Sequence, residues 1–256
     1  MKVHLITRDQ LDADNNYIGE VDLTDFDGAI EAEENLGSVR FKSIKAKFHI
    51  LFRAGTGIKA GWGIEAGTGI EAGAGIEAGW GIDASAGIKA GWGIEAGAGI
   101  KAGAGIEAGW GIEAGWGIEA GAGIKAGWGI KAGSGIEAGA GIKAGAGIEA
   151  GSGIEAGAGI KAGAGIEAGI GIEAGLSITG EWISGGLRIF AGICLWRTPE
   201  QEEMQIKCGE LRKGTVAFGE LVITAPKKKP LIASCDGKVV VIEGVEYKLM
   251  KQESEG

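Results

Sequence analysis

The chain is poor in the residues from which active sites and covalent frameworks are commonly built. It has 2 histidines, 3 cysteines and 3 prolines in 256 residues. Both histidines, His4 and His49, precede the regular part of the sequence, so no histidine-based nucleophile pair can form within it. His49 sits in the apolar run KFHILF and reads as structural. Cys194, Cys208 and Cys235 are odd in number and show no C-x-x-C spacing, which favours reduced thiols in a cytoplasmic protein over a disulfide framework. Scarce proline, with a glycine period other than three, excludes collagen. No run of about 18 apolar residues suggests a membrane span. The opening MKVHLITRDQ lacks the apolar centre of a secretory leader.

What is present is glycine, 53 residues, and a strict period. Isoleucine recurs every six residues from Ile58 to Ile172, in twenty uninterrupted copies of Ile-(Glu/Lys/Asp)-Ala-(Gly/Ser)-x-Gly, the last of them ending in serine. A fixed short period marks a solenoid, in which each repeat is one step of a coil. Helix is disfavoured, since two glycines per six residues cost about 1 kcal/mol each relative to alanine. Strand alternation predicts that Ile and x share one face and that the charged residue and the intervening glycine share the other. The Ala-Gly pair is then the corner, with glycine at positive φ. Outward glycines would leave bare strips open to close approach by another backbone.

Ile58-Lys59-Ala60-Gly61-Trp62-Gly63 and Ile70-Glu71-Ala72-Gly73-Ala74-Gly75 match in register a known hexad pattern. Over about half its length the chain resembles the left-handed parallel β-helix proteins built from hexapeptide repeats. The resemblance implies an all-β fold, a single-stranded, triangular parallel β-helix of about 18 residues per coil with β-rich N- and C-terminal caps. Acyltransferases of that family use a histidine base on or near the coils and an inserted loop. The coils here have neither, so the resemblance implies a fold and no activity.

Six x positions hold tryptophan where the family has small residues. Divided into eighteens, Trp62, Trp80 and Trp116 share one phase, Trp92, Trp110 and Trp128 share a second, and the third is small from Thr68 through Ala158. Division into twelves mixes the classes, so three hexads per turn are expected. One or two indoles per turn among small residues predict core filling. The alternative is an exposed ladder for stacking on sugars or bases. The twenty hexads would make six to seven turns, about 30 Å of rod.

Three regions are expected: 1–53 as an N-terminal cap and degenerate coils, 54–197 as the hexapeptide β-helix, and 198–256 as a small β-rich module. Ile30-Glu31-Ala32 and Ile44-Lys45-Ala46 echo the hexad at fourteen-residue spacing, which suggests wider coils. Thr198-Pro199-Glu200 reads as a break. Beyond it, Asp236-Gly237 suits a hairpin turn, and Lys227-Lys228-Lys229 a solvated basic loop.

Asp12-x-Asp14-x-Asn16 has the start of a calcium loop, but Tyr17 and Leu23 stand where glycine and glutamate are needed. The glycine spacing is G-x-G-x-x-x-G, which is no dinucleotide fingerprint. Ranks of outward threonine, as ice binding requires, are missing. No catalytic, cofactor or metal residues are therefore assigned.

The net charge is −9, and the repeats carry 13 acids against 7 bases. An acidic rod repels phosphates and suits a basic protein. One column of charges reads Glu71, Lys89, Glu107, Lys125, Lys143, Lys161. The others are mostly acidic, and Glu65, Asp83, Glu119, Glu137, Glu155 and Glu173 form the candidate interaction surface. The expected function is a non-enzymatic interaction protein, an acidic β-helical inhibitor or nucleic-acid mimic that binds a basic, nucleic-acid-binding protein and is itself a possible homo-oligomer. Small inhibitors of this sort resemble anti-defence proteins carried by phages and mobile elements, which work in the host cytoplasm. The alternatives are a structural or assembly protein, such as a virion component or polymer subunit, and a protein that sequesters a small molecule or nucleotide.

Overall fold

Each hexad divides into a three-residue strand and a three-residue corner. In Ile112–Ala114 the isoleucine and alanine are buried and the glutamate between them is exposed, and the same pattern recurs from Ile64–Ala66 to Ile172–Ala174, with Glu77 alone half-buried. Gly-x-Gly then turns the chain into the next strand. The computed structural model describes residues 1–224 and, beyond them, two strands, Val239–Ile242 and Val245–Lys248. The chain divides into two units, Met1–Thr224 and Ala225–Gly256.

The first unit is a parallel β-solenoid of 18 residues per turn: Ile64 lies beside Ile82, and Ile82 beside Ile100. Three strands per turn give three faces. Face I holds Ile70–Ala72, Ile88–Ala90 and Ile106–Ala108. Face II holds Ile76–Ala78, Ile94–Ala96 and Ile112–Ala114. Face III holds Ile82–Ala84, Ile100–Ala102 and Ile118–Ala120. Face I is a 12-stranded sheet. Faces II and III join into one 18-stranded sheet, because Trp182–Ala191 pairs with both Gly165–Ala168 and Ile172–Ala174 and so runs round their shared corner.

The core is a stack of isoleucine and alanine. The repeat isoleucines are at most 1% exposed, and each contributes about 1.5–3 kcal/mol by leaving water. Every repeat strand bonds to the turns above and below, so the backbone groups of this core are paired along the axis.

The coil extends beyond the hexads at both ends. Val3–Ile6 lies parallel to Ala29–Ala32, and Asn16 and Phe26 bridge to Arg40 and Ala46, so residues 1–27 belong to the first rung. Ile30 pairs with Ile50, and Ile50 with Ile70, in steps of twenty residues where the hexads step by eighteen. Inside this wider part the buried Thr56 hydroxyl donates to the Glu33 carbonyl at 2.6 Å and accepts from the Leu36 N–H at 3.0 Å. At the other end Gln205–Cys208 adds to Ile178–Thr179, and Glu220–Ile223 adds to Gln205–Cys208. The ladders thus resume after Thr198-Pro199-Glu200. The connecting segment is held by Arg197, which donates to both Glu203 carboxylate oxygens at 2.6 and 2.5 Å. Twelve rungs on face I make a rod about 53 Å long at ~4.8 Å per step, longer than the hexads alone provide.

In the second unit, Val239–Ile242 and Val245–Lys248 form an antiparallel pair. The Asp236-Gly237 turn, Lys227–Lys229 and Cys235 lie outside the described residues.

Two expectations about the hexad are corrected. Residue x does not share the isoleucine face: the six repeat tryptophans are 58–72% exposed and fill no core. Alternation holds only within the three-residue strand. The turn at Gly-x-Gly resets it, and x sits at the outer apex. Nor are the repeat glycines there for positive φ. Among the described residues the positive-φ glycines are Gly37, Gly55, Gly192, Gly214 and Gly219, all outside the hexads. Gly127 shows the actual reason: a Cβ there would sit inside the contact distance of the Gly109 carbonyl oxygen, one turn back.

Candidate functional site

Stacking at an eighteen-residue period turns the second residue of each hexad into three outward columns, one per face. On face III the column reads Glu65, Asp83, Lys101, Glu119, Glu137, Glu155, Glu173. All six acids of the candidate interaction surface therefore stand in one line, interrupted by Lys101 alone. Lys101 pairs with Glu119 at 3.1 Å and Lys45 with Glu65 at 3.1 Å. Beside this line runs a groove of about 1400 Å³, floored by Gly81, Gly99 and Gly117 and walled on its other side by Trp80, Ile170 and Leu187. Pockets for small ligands occupy about 300–1,000 Å³. A groove this long and open matches an extended surface better than a compact ligand.

Face I carries the opposite tendency. Its column reads Glu71, Lys89, Glu107, Lys125, Lys143, Lys161. Lys125 donates to Glu107 at 2.7 Å and holds that carboxyl below its ordinary pKa. Lys125, Lys143 and Lys161 then follow with no acid between them. Like charges in adjacent rungs oppose one another.

Face II combines acids with aromatics. Glu77, Glu95 and Glu113 are direct neighbours in its column, with Lys59 before them and Lys131 after. Both corners bordering this face carry indoles. Trp92, Trp110 and Trp128 occupy consecutive rungs of the corner with face I, linked by backbone bonds of 3.0 Å. Trp62, Trp80 and Trp116 stand on the corner with face III, their ring centroids 6.4 and 6.2 Å apart in sequence. The second of these contacts passes over Ala98, which is 6% exposed beneath the two indoles. The third corner, between faces III and I, is small from Thr68 and Ala86 to Ala158 and reaches Leu176 in the last hexad. Exposed indoles on two corners and none on the third make a surface with distinct sides. Contiguous exposed aromatic surface of this kind marks interaction sites.

Sequence reasoning placed these indoles inside. A signal for the correct side was present. The third residue of the hexad is alanine in all twenty copies, whereas x varies from alanine, serine and threonine to isoleucine, leucine and tryptophan. A close-packed position does not accept that change of volume while its neighbours stay the same.

Several titratable groups outside these columns are engaged locally. Asp12 accepts from the backbone N–H groups of Asp14 and Asn16 at 2.9 and 2.8 Å and from the Asn16 amide at 2.8 Å, and these bonds lower its pKa. Its oxygens thus close a turn. His4 Nε2 lies 2.9 Å from the Tyr17 hydroxyl, and partial burial lowers the histidine pKa. Glu31 accepts from Arg53 at 3.3 Å and has His49 at 3.4 Å. Cys208 is buried, and burial raises its thiol pKa. Among the described residues no helix is long and apolar enough to cross a membrane. No family model matches the chain, and neither a curated protein nor a solved structure matches it.

Proposed function

We propose that this protein is a non-enzymatic interaction protein that binds a basic partner protein, and that it does so through face II. The observation that carries the reading is the run Glu77, Glu95, Glu113 set between two rows of exposed indoles. A carboxylate column attracts cations of any kind. Indoles beside it select among them, since guanidinium groups stack on tryptophan and lysine ammonium groups do so less readily. The chain uses this pairing in itself: the Arg212 guanidinium lies 4.0 Å over the Trp182 ring. An arginine-rich surface, of the sort that grips nucleic acid, is the complement.

Mimicry of nucleic acid is consistent in scale. Along Glu77, Glu95 and Glu113 face II presents one carboxylate about every 4.8 Å, against one phosphate per 3.4 Å of axis on a DNA strand. This run is therefore a short, somewhat sparser polyanion, made rigid by its ladder.

The test is titration of the full chain with an arginine-rich and a lysine-rich peptide of equal length, followed by tryptophan fluorescence. The arginine peptide binds more tightly, and high salt weakens both. Replacing Trp92 and Trp110 by alanine weakens the arginine peptide about 5- to 30-fold, from two cation–π contacts at exposed sites. Glu77→Gln with Glu95→Gln and Glu113→Gln reduces the salt dependence. Binding that ignores salt, or that is unchanged in both variants, overturns the reading.

A further inference from the structure

Charges on faces III and I are matched across the small corner that separates them. Each turn presents one charged position on face III and, six residues later, one on face I. Asp83 is followed by Lys89, Lys101 by Glu107, Glu119 by Lys125, Glu137 by Lys143 and Glu155 by Lys161. Five of seven turns are thus opposite in sign; Glu65 with Glu71 is alike, and Glu173 faces Thr179. The sign inverts at Lys101 and Glu107, and the match survives. Across the corner between faces II and III only three of seven turns are opposite, and across that between I and II three of six.

The molecule does not use this match internally. Its repeat ion pairs join neighbouring rungs of a single face, as in Lys59 with Glu77, Lys89 with Glu71, Lys101 with Glu119 and Lys125 with Glu107. Among the described residues none crosses a corner, and Lys143, Lys161, Glu137 and Glu155 pair with no other described residue.

We propose that the complement is a second copy of this chain, docked parallel and in register along the corner between faces III and I. A half-turn about an axis parallel to the rod sets face I of one copy beside face III of the other at the same rung. Every opposite pair then occurs twice, as an isologous interface requires. The register is selective. Sliding one copy by a turn, so that Glu71 meets Asp83 on one side of the contact and Glu65 meets Lys89 on the other, leaves six opposite and five like pairs, where the in-register dimer has ten opposite and two like. An antiparallel dimer sets lysines against lysines. Sterically this is also the corner that permits approach: Ala86, Ala104, Ala122, Ala140 and Ala158 follow one another there, while the other two carry indoles. The six acids of face III thereby gain a partner, and face II stays open, so this inference stands or falls independently of the basic partner.

The experiment is light scattering on the full chain across concentration and salt, with charge-swapped variants. Wild type shows twice the chain mass at low salt and shifts toward the single-chain mass as salt rises. One variant carries Glu119→Lys, Glu137→Lys and Glu155→Lys; the other carries Lys125→Glu, Lys143→Glu and Lys161→Glu. Each alone runs at single-chain mass, and their equimolar mixture returns to the dimer mass. Ala122→Trp with Ala140→Trp keeps every charge, uses a residue the other corners already carry, and also gives single chains. Far-ultraviolet circular dichroism confirms that all three variants are folded. A wild-type chain that is monomeric at low salt, an association unchanged by both swaps, or a mixture that stays monomeric overturns the proposal.

Discussion

Trp110 and Ile112 are two residues apart, on either side of the step from one hexad to the next, and replacing each by alanine separates an outer apex from a packed core. Trp110 is 71% exposed, so about three-tenths of its surface is covered. For a side chain of about 250 Å² that is about 75 Å², or about 1.9 kcal/mol at 25 cal/mol per Å². The unfolded chain also covers part of this area, which makes the figure an upper bound. The bond from the residue 110 N–H to the Trp92 carbonyl, 3.0 Å, is backbone and survives the change. Trp110→Ala therefore costs about 1–2 kcal/mol at most. Ile112 is 1% exposed between the isoleucines of adjoining turns, and Ile112→Ala costs about 2–5 kcal/mol, the range for cavities in close-packed interiors. The assay is equilibrium urea unfolding followed by circular dichroism, with acrylamide quenching of native tryptophan emission as a second readout. Wild-type emission is that of solvated indole and is quenched readily, and Trp110→Ala removes part of it without moving the midpoint far. A Trp110→Ala loss equal to that of Ile112→Ala, together with protected emission, would refute the outward placement of the indoles and with it the face II site.

Three further outcomes follow from the geometry. Gly127→Ala lowers the melting temperature more than Gly129→Ala, because a Cβ on Gly127 collides with the Gly109 carbonyl, whereas one on Gly129 stays 3.5 Å from the Gly147 oxygen; differential scanning of both variants decides it. The hydrogen bond from Arg197 takes the Glu203 carboxyl from 4.5 to about 2, so its folded pKa lies below the unfolded one and its stabilisation is present above about pH 5 and lost as pH falls toward 2. The melting difference between wild type and Glu203→Gln accordingly shrinks across that window, and a constant difference would count against the ion pair. Cys208, buried with a raised thiol pKa, resists a thiol reagent until the coil unfolds, whereas the partly buried Cys194 reacts in the native state; site-resolved mass spectrometry after timed labelling distinguishes them.

Much of the fold was legible because a solenoid repeats one local decision. Isoleucine every six residues reports a core position whatever the side to which its neighbours point. The tryptophan phases identified eighteen residues per turn although the packing reason attached to them was mistaken: bulky residues at an apex also recur by turn, and periodicity does not tell inside from outside. Glycine misled in a similar way. Its frequency at corners suggests left-handed φ, yet the constraint at Gly127 comes from a carbonyl eighteen residues away in sequence, which no local reading contains. The six candidate acids stand in one column because their spacing is a multiple of the turn.

By itself the sequence determined the period, the identity of the buried isoleucines and the sign of every outward charge, since these depend on spacing along the chain. Tertiary structure decided which side of the corner residue x occupies, that face II lies between two indole rows, and that the matched columns of faces III and I border the smallest corner. Those are relations between residues on different faces and different turns. They come into being only when the coil closes and stacks residues eighteen apart at about 4.8 Å.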